Sequence, residues 1–253
     1  MSFIELRNVS KRFGSLVVLR NLTLAIEKGQ SLVVIGASGT GKSVMLKHIV
    51  GLLRPDHGEV WIDGRRIDNL AERDLVDVRT RFGFLFQMGA LFDSLTVAEN
   101  VAFPVVEHTH KPAEEIAAIV KTKLRQIGLP DAGPKMPGEL SGGQKKRVAL
   151  ARAIALDPEV ILYDEPTTGL DPVRSDVINE LILKLQRELH VTSIVVTHDM
   201  NSAFKVADRI VMLHEGRIVF DGTPDEIQKS EDPDVKRFVQ GEADERELAS
   251  LKL

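Results

Sequence analysis

Residues 31–53 read SLVVIGASGTGKSVMLKHIVGLL, and the order of three parts within that stretch decides the fold. Leu32 to Ile35 is a continuous apolar run that stops at glycine, as expected of a strand buried on both faces of a parallel sheet. Gly36, Ala37, Ser38, Gly39, Thr40, Gly41, Lys42 and Ser43 then spell G-x-x-x-x-G-K-S, and residues 44–53 are expected to continue as a helix. Strand, glycine-rich loop and helix in that order make a phosphate cradle. The glycines let the backbone curl until successive N–H groups point at phosphate oxygens, and the helix N-terminus adds partial positive charge. Lys42 is expected to reach the β- and γ-phosphates of a nucleotide, and the Ser43 hydroxyl to ligate Mg²⁺. The loop by itself does not separate kinases, GTPases and transport ATPases.

On the N-terminal side the pattern is that of half-buried strands. Leu22, Leu24 and Ile26 alternate with Asn21, Thr23, Ala25 and Glu27, and Val60 and Ile62 alternate with Glu59 and Asp63 before a turn at Asp63-Gly64. On the C-terminal side, strands and helices alternate. A helix from about Gln144, a strand over 160–163, a helix opened by Asp171-Pro172 with the stripe Ile178, Leu181, Ile182, Leu185, and a strand over 192–197 argue for an α/β core with a parallel sheet. Residues 88–140 interrupt this core with helices. Thr96 and Glu99 have capping-box spacing, Pro104 is expected to end or kink the first helix, and Pro112 takes the first position of the second. The stripe Ile116, Ile119, Val120, Leu124, Ile127 stops at Gly128. A last hairpin, 209–213 and 217–220, turns at Glu215-Gly216.

Several charged residues fall where parallel sheets bind ligands, at strand C-terminal ends. The strand over 160–163 delivers Asp164 and Glu165. Asp164 suits a water-mediated hold on Mg²⁺, and Glu165 is placed to orient or deprotonate an attacking water. The strand over 192–197 ends in Thr197-His198, whose imidazole is expected to bond a γ-phosphate. Gln87 follows the strand-like 82–86 and is open between a contact to metal or water and a plain strand end. A second helix N-terminus stands at Leu140-Ser141-Gly142-Gly143-Gln144, with Lys145, Lys146 and Arg147 in its first turn. Cations there oppose the helix dipole at a few tenths of a kcal/mol each, a cost that a docked anion would reverse; the alternative is a solvated basic face.

Composition narrows the setting. The 253 residues are 43% hydrophobic and 28% charged, an ordinary globular balance, and zero Cys excludes disulfides, thiolate metal sites and a cysteine nucleophile. The longest apolar runs are far below the roughly 18 residues needed to cross a bilayer. The N-terminus carries Glu5 and Arg7 in an alternating pattern unlike a signal or transit peptide, so the chain is expected to stay where it is made. Residues 225–253 hold nine acids and five bases, which accounts for the whole net charge of −4. The remaining body is neutral, and bulk charge makes no case for nucleic acid. His108 and His110 lead into a helix without a third ligand and make a poor metal site. Phe238, Val239, Leu248, Leu251 and Leu253 are apolar positions in the acidic tail, read either as a frayed end or as an arm that docks on a neighbouring subunit or a membrane permease.

Taken together, the phosphate loop, LSGGQ at 140–144, Asp164-Glu165 and His198 make the chain resemble an ATP-binding cassette (ABC) ATPase over nearly its whole length. The resemblance implies a P-loop NTPase core with an N-terminal antiparallel β subdomain and an inserted helical subdomain. It implies one domain over 1–240, with core about 1–87 and 145–224, helical subdomain about 88–144, and acidic tail 226–253. By the same resemblance Phe13 stacks on adenine, residues 36–44 including Val44 hold the phosphates, Gln87 links the metal to a membrane partner, and Ser141, Gly142, Gly143 and Gln144 grip ATP bound to the other subunit of a homodimer. Glu165 is implied as catalytic base, Asp171 as part of a loop crossing the dimer interface, and His198 as a γ-phosphate contact. Val44 departs from many cassettes, which carry Thr there.

Residues 86–97, FQMGALFDSLTV, with 99–104, ENVAFP, and Glu107-His108-Thr109, are similar to the Mla/Mce-type phospholipid-transport ATPases. That implies integral-membrane permease subunits, an Mce-domain lipid-binding subunit and a peripheral place on the cytoplasmic face of the inner membrane. Amino-acid or lipoprotein transport is the alternative within transport, and a soluble cassette protein acting on ribosomes or DNA is the alternative outside it. Met88, Leu91, Phe92 and Leu95 form an apolar cluster that serves either as subdomain core or as a docking groove for a permease helix.

Overall fold

Alternation in the apolar runs sets which face each strand covers. In β3 (Ser31–Ile35), Val33 and Ile35 face one core while Leu32 and Val34 face another, and all are fully buried. A strand with both faces dry belongs in the middle of a sheet, and there it lies. The computed structural model describes residues 2–242. Ahead of β3 come β1 (Ile4–Phe13) and β2 (Leu16–Ile26); after it α1 (Lys42–Ile49), β4 (His57–Ile62), β5 (Arg65–Arg66), α2 (Glu72–Arg79) and β6 (Phe82–Leu85). The helical insertion holds α3 (Val97–His108) and α4 (Ala113–Gln126). The core resumes with α5 (Gly142–Ala153), β7 (Val160–Asp164), α6 (Pro172–Leu189), β8 (Thr192–Val196), α7 (Met200–Val206), β9 (Arg209–His214) and β10 (Arg217–Gly222), and α8 (Pro224–Gln228) and α9 (Pro233–Gln240) follow.

The larger sheet has the order β10-β9-β3-β8-β7-β6, parallel throughout except for the β9–β10 hairpin, and the smaller is antiparallel β2-β1-β4-β5. Its register brings the functional ends into line: Val34 pairs with Val196, Val196 with Asp164, and Leu85 with Tyr163. Gly36, Gln87, Glu165 and His198 therefore leave the sheet at one edge. Hydrophobic burial fixes this arrangement. One core lies between the sheet and α3 to α6, and the other between the sheet, α1 and the antiparallel sheet.

The structure corrects or narrows several expectations. The helix after the phosphate loop ends at Ile49, because Gly51 takes φ 69° and Leu52 N–H bonds back to Lys47 O. Of the two outcomes expected at Pro104, an end or a kink, the end is excluded, since α3 contains Pro104 and runs on to His108; Pro112 is the N-cap of α4 rather than its first residue. Helix α5 begins at Gly142 with Ser141 as its cap, within the 140–144 stretch expected to open it. The start of the acidic tail is not frayed: Ile227 and Val235 are buried, Phe238 and Val239 pack on the main core, and α8 lies on β9 and β10. Leu248, Leu251 and Leu253 lie outside the described residues.

Candidate active site

The phosphate loop has a shape that only its glycines allow. Gly36 sits at φ 146°, where an added Cβ would meet Leu213 O at 2.3 Å, and Gly41 at φ 100°, where it would meet Val18 O at 2.9 Å. Inside the curl, Lys42 Nζ donates to Gly36 O at 2.7 Å and Ala37 O at 2.9 Å. Burial lowers the Lys42 pKa, opposed by the nearby Glu165 and Asp164 charges. An ammonium held by two neutral carbonyls keeps its charge available for an anion.

One residue on, Ser43 Oγ donates to Asp164 Oδ1 at 2.8 Å. Burial pushes the Asp164 carboxyl up and the Ser43 bond pulls it down. Next to it, Glu165 adopts φ 51°, a left-handed conformation unusual for a residue with a side chain. Its N–H is tied to Val196 O at 2.9 Å. Its Oε2 lies 2.8 Å from His198 Nδ1 and accepts from Thr168 Oγ1 at 3.2 Å. With Nδ1–H given to Glu165, the ring donates from Nε2 only when it is charged.

A cleft of about 410 Å³ joins these groups: Phe13, Val18, Ser38, Gly39, Gly41, Lys42, Ser43, Val44, Gln87, Glu165 and His198 line it. Phe13 stands at its rim half exposed, with Lys11 Nζ 5.7 Å from the ring centroid. Gly36, Ala37 and Thr40 shape the loop behind, where Thr40 Oγ1 donates to Ala37 O at 2.9 Å. Ser43, Gln87 and Asp164 offer hydroxyl, amide and carboxylate oxygens, the hard donors that suit Mg²⁺ when water and phosphate complete its shell. Among the described residues no group of three or more His, Cys, Asp or Glu forms a cage of its own.

Ser141, Gly142, Gly143 and Gln144 do not line this cleft. They open α5 as a reciprocal cap, Gln144 N–H to Ser141 Oγ at 3.3 Å and Ser141 N–H to Gln144 Oε1 at 2.9 Å. The S-x-x-Q spacing carried that signal. Asp171 caps α6, accepting from Arg174 N at 2.9 Å. The basic run behind the cap is not a solvated face. Lys146 is buried, its Nζ donating to Pro166 O at 2.7 Å and Glu165 O at 3.2 Å, and burial pushes its pKa down to about 8. Arg147 reaches Ile127 O. Helical periodicity could have found Lys146, which shares a face with buried Gly143 and Leu150.

The cluster after Gln87 divides. Leu91 packs on the core, while Met88 is 87% exposed and Phe92 meets Phe103 in a tilted pair with ring centroids 4.8 Å apart. Phe82, Phe84, Phe86, Phe92, Phe103 and Pro104 line an open, largely apolar groove of about 440 Å³.

Residues 19–168 match the family model described as "ABC transporter". The chain belongs to that family. It is an ATPase of the cassette fold. It is 44% identical over 243 residues, 96% of this chain and 92% of the relative, to the Haemophilus influenzae "Intermembrane phospholipid transport system ATP-binding protein MlaF". It is also 44% identical over 238 residues, 94% of this chain and 69% of the relative, to the Mycobacterium leprae "Probable ribonucleotide transport ATP-binding protein mkl". Among solved structures, a dimeric ATP-binding cassette in a post-hydrolysis state with ADP and Pi superposes at TM-score 0.81 with 36% identity, covering 87% of this chain and 98% of that one. No helix among the described residues is long and apolar enough to cross a membrane.

Proposed function

We propose that this chain is the MgATP-hydrolysing subunit of a transporter that moves phospholipid between bacterial membranes, working as a homodimer on the cytoplasmic face of the inner membrane. The observation that carries the chemistry is the convergence of Lys42, the Ser43–Asp164 pair, Gln87 and the Glu165–His198 pair on one cleft. Phe13 offers a ring for adenine, and the N–H groups of residues 36–44 receive the phosphates. Lys42 balances charge on the β- and γ-phosphates, and His198 donates to the γ-phosphate.

In this reading Glu165 accepts a proton from water as the water oxygen attacks the γ-phosphorus and the bond to the β-phosphate oxygen breaks. Catalysis is then positioning and charge stabilisation, with little covalent work for the protein. Ser43, Gln87 and Asp164 would hold a bound Mg²⁺, which would supply charge neutralisation on the phosphate oxygens. That Ser141 to Gln144 lie outside their own chain's cleft supports a second subunit offering them to ATP, with Asp171 in the crossing loop. The apolar groove adjoining Gln87 through Phe86 supports a permease helix as its occupant. An Mce-domain subunit would complete the system.

The cleft accounts for nucleotide chemistry; the substrate class rests on the phospholipid-transport relative that the chain matches over nearly its full length. The test is purification of the complex with its permease, followed by identification of bound lipid and ATP-dependent lipid transfer between labelled vesicles. Transfer with wild type and none with Glu165→Gln is expected. ATP-dependent ribonucleotide movement without lipid transfer would replace the phospholipid reading.

A further inference from the structure

We propose that Lys146 is a positioning residue for Glu165: its ammonium, carried on α5, fixes the turn that aims the Glu165 carboxylate into the cleft. The proposal rests on the reading of Glu165 as base. Lys146 is only 7% exposed, yet it is charged below its lowered pKa, and a buried ammonium is retained at a desolvation cost. Two of its three donors are used on adjacent carbonyls, Glu165 O at 3.2 Å and Pro166 O at 2.7 Å.

Those carbonyls belong to a turn of the site that places a residue with a side chain in the left-handed region. Glu165 at φ 51° lies in a region that disfavours side chains by about 1 kcal/mol, and such residues persist only where their surroundings over-determine them. From β8, Val196 O holds the Glu165 N–H; Thr168 and His198 hold the carboxylate. Lys146 is the contact from α5. Without it both carbonyls lose a charged donor, and the turn is free to relax toward negative φ and rotate the carboxylate away from the cleft. Because Ser141 caps the same helix, the arrangement also ties the LSGGQ helix mechanically to the base.

A double-mutant cycle on the full chain decides the matter. Lys146→Met, which keeps most of the unbranched apolar stem but none of the donors, is expected to lower the single-turnover rate of MgATP hydrolysis at least about tenfold, with ATP affinity changed less than about threefold. In a Glu165→Gln background the same change is expected to leave the residual rate within about twofold, since the carboxylate it positions is gone. Should Lys146→Met not fold, Lys146→Ala enters the same cycle. Equal losses in both backgrounds, or a loss confined to ATP affinity, would overturn the proposal and leave Lys146 as an ordinary structural contact. Full turnover in Glu165→Gln alone would instead remove the base reading on which it rests.

Discussion

Ser43 Oγ donates a 2.8 Å hydrogen bond to Asp164 Oδ1 across 121 positions of sequence, joining the start of α1 to the end of β7. The pair tethers the hydroxyl read as a magnesium ligand to a carboxylate that orients it. Outer-shell partners of this kind change metal affinity by about 10–100-fold when lost. Asp164→Asn is therefore expected to raise the Mg²⁺ concentration for half-maximal ATPase activity by at least about tenfold. A magnesium titration at saturating ATP measures this, and an unchanged midpoint would argue that Asp164 does not orient the metal.

Lys42 and Glu165 should fail differently. Lys42→Ala removes a charge-assisted bond of about 1.5–3 kcal/mol and should weaken ATP binding about 10–100-fold. Glu165→Gln should keep ATP affinity and lose turnover by about 10²–10⁴-fold, the range for a general base. Calorimetric titration beside phosphate-release assays separates the two.

At Gly36 a single methyl group is decisive. Gly36→Ala would push Cβ to 2.3 Å from Leu213 O, with no flexible side chain to yield. A loss of at least about 2 kcal/mol in stability to urea is expected, with ATP binding abolished because the loop must open. Wild-type stability in this variant would mean that β9 withdraws at little cost.

Glu159 offers a pH test. Hydrogen bonds from Arg81 and then Lys28 hold its pKa at about 2, below the ordinary 4.5. The unfolded chain therefore binds the proton first as pH falls, so the stabilisation is whole above pH 4.5 and fades toward pH 2. With a third of the side chain in screening solvent it amounts to about 1 kcal/mol. Wild type minus Glu159→Gln, followed by denaturant melts, should show that difference at pH 7 and little near pH 2. A constant difference across the range would contradict the ion-pair account.

For the apolar groove, Phe92→Asp should leave ATP binding by the isolated chain intact while abolishing co-purification with the permease. Phe92 lies on the groove and not on the cleft. Co-purification at wild-type levels would place the permease contact elsewhere.

The ordering of strand, phosphate loop and helix, the capped starts at Thr96 and Asp171, and the acids at the end of β7 were all legible along the chain. Each depends on neighbours within a few residues: a period of two, a period of 3.6, or a side chain bonding an N–H three positions on. The same locality left Pro104 open between ending and kinking its helix, and the fold carries α3 through it to His108.

What the sequence by itself determined is thus the inventory of elements and the chemistry at their ends. Only the tertiary structure decided that β3 lies between β8 and β9, that Ser43 meets Asp164 and His198 meets Glu165, and that Lys146 is turned inward beneath the Glu165 turn. Those facts depend on which distant elements pack together. A basic run such as Lys145-Lys146-Arg147 has the same local pattern whether water or two backbone carbonyls receive its charge, and burial against another element chooses between them.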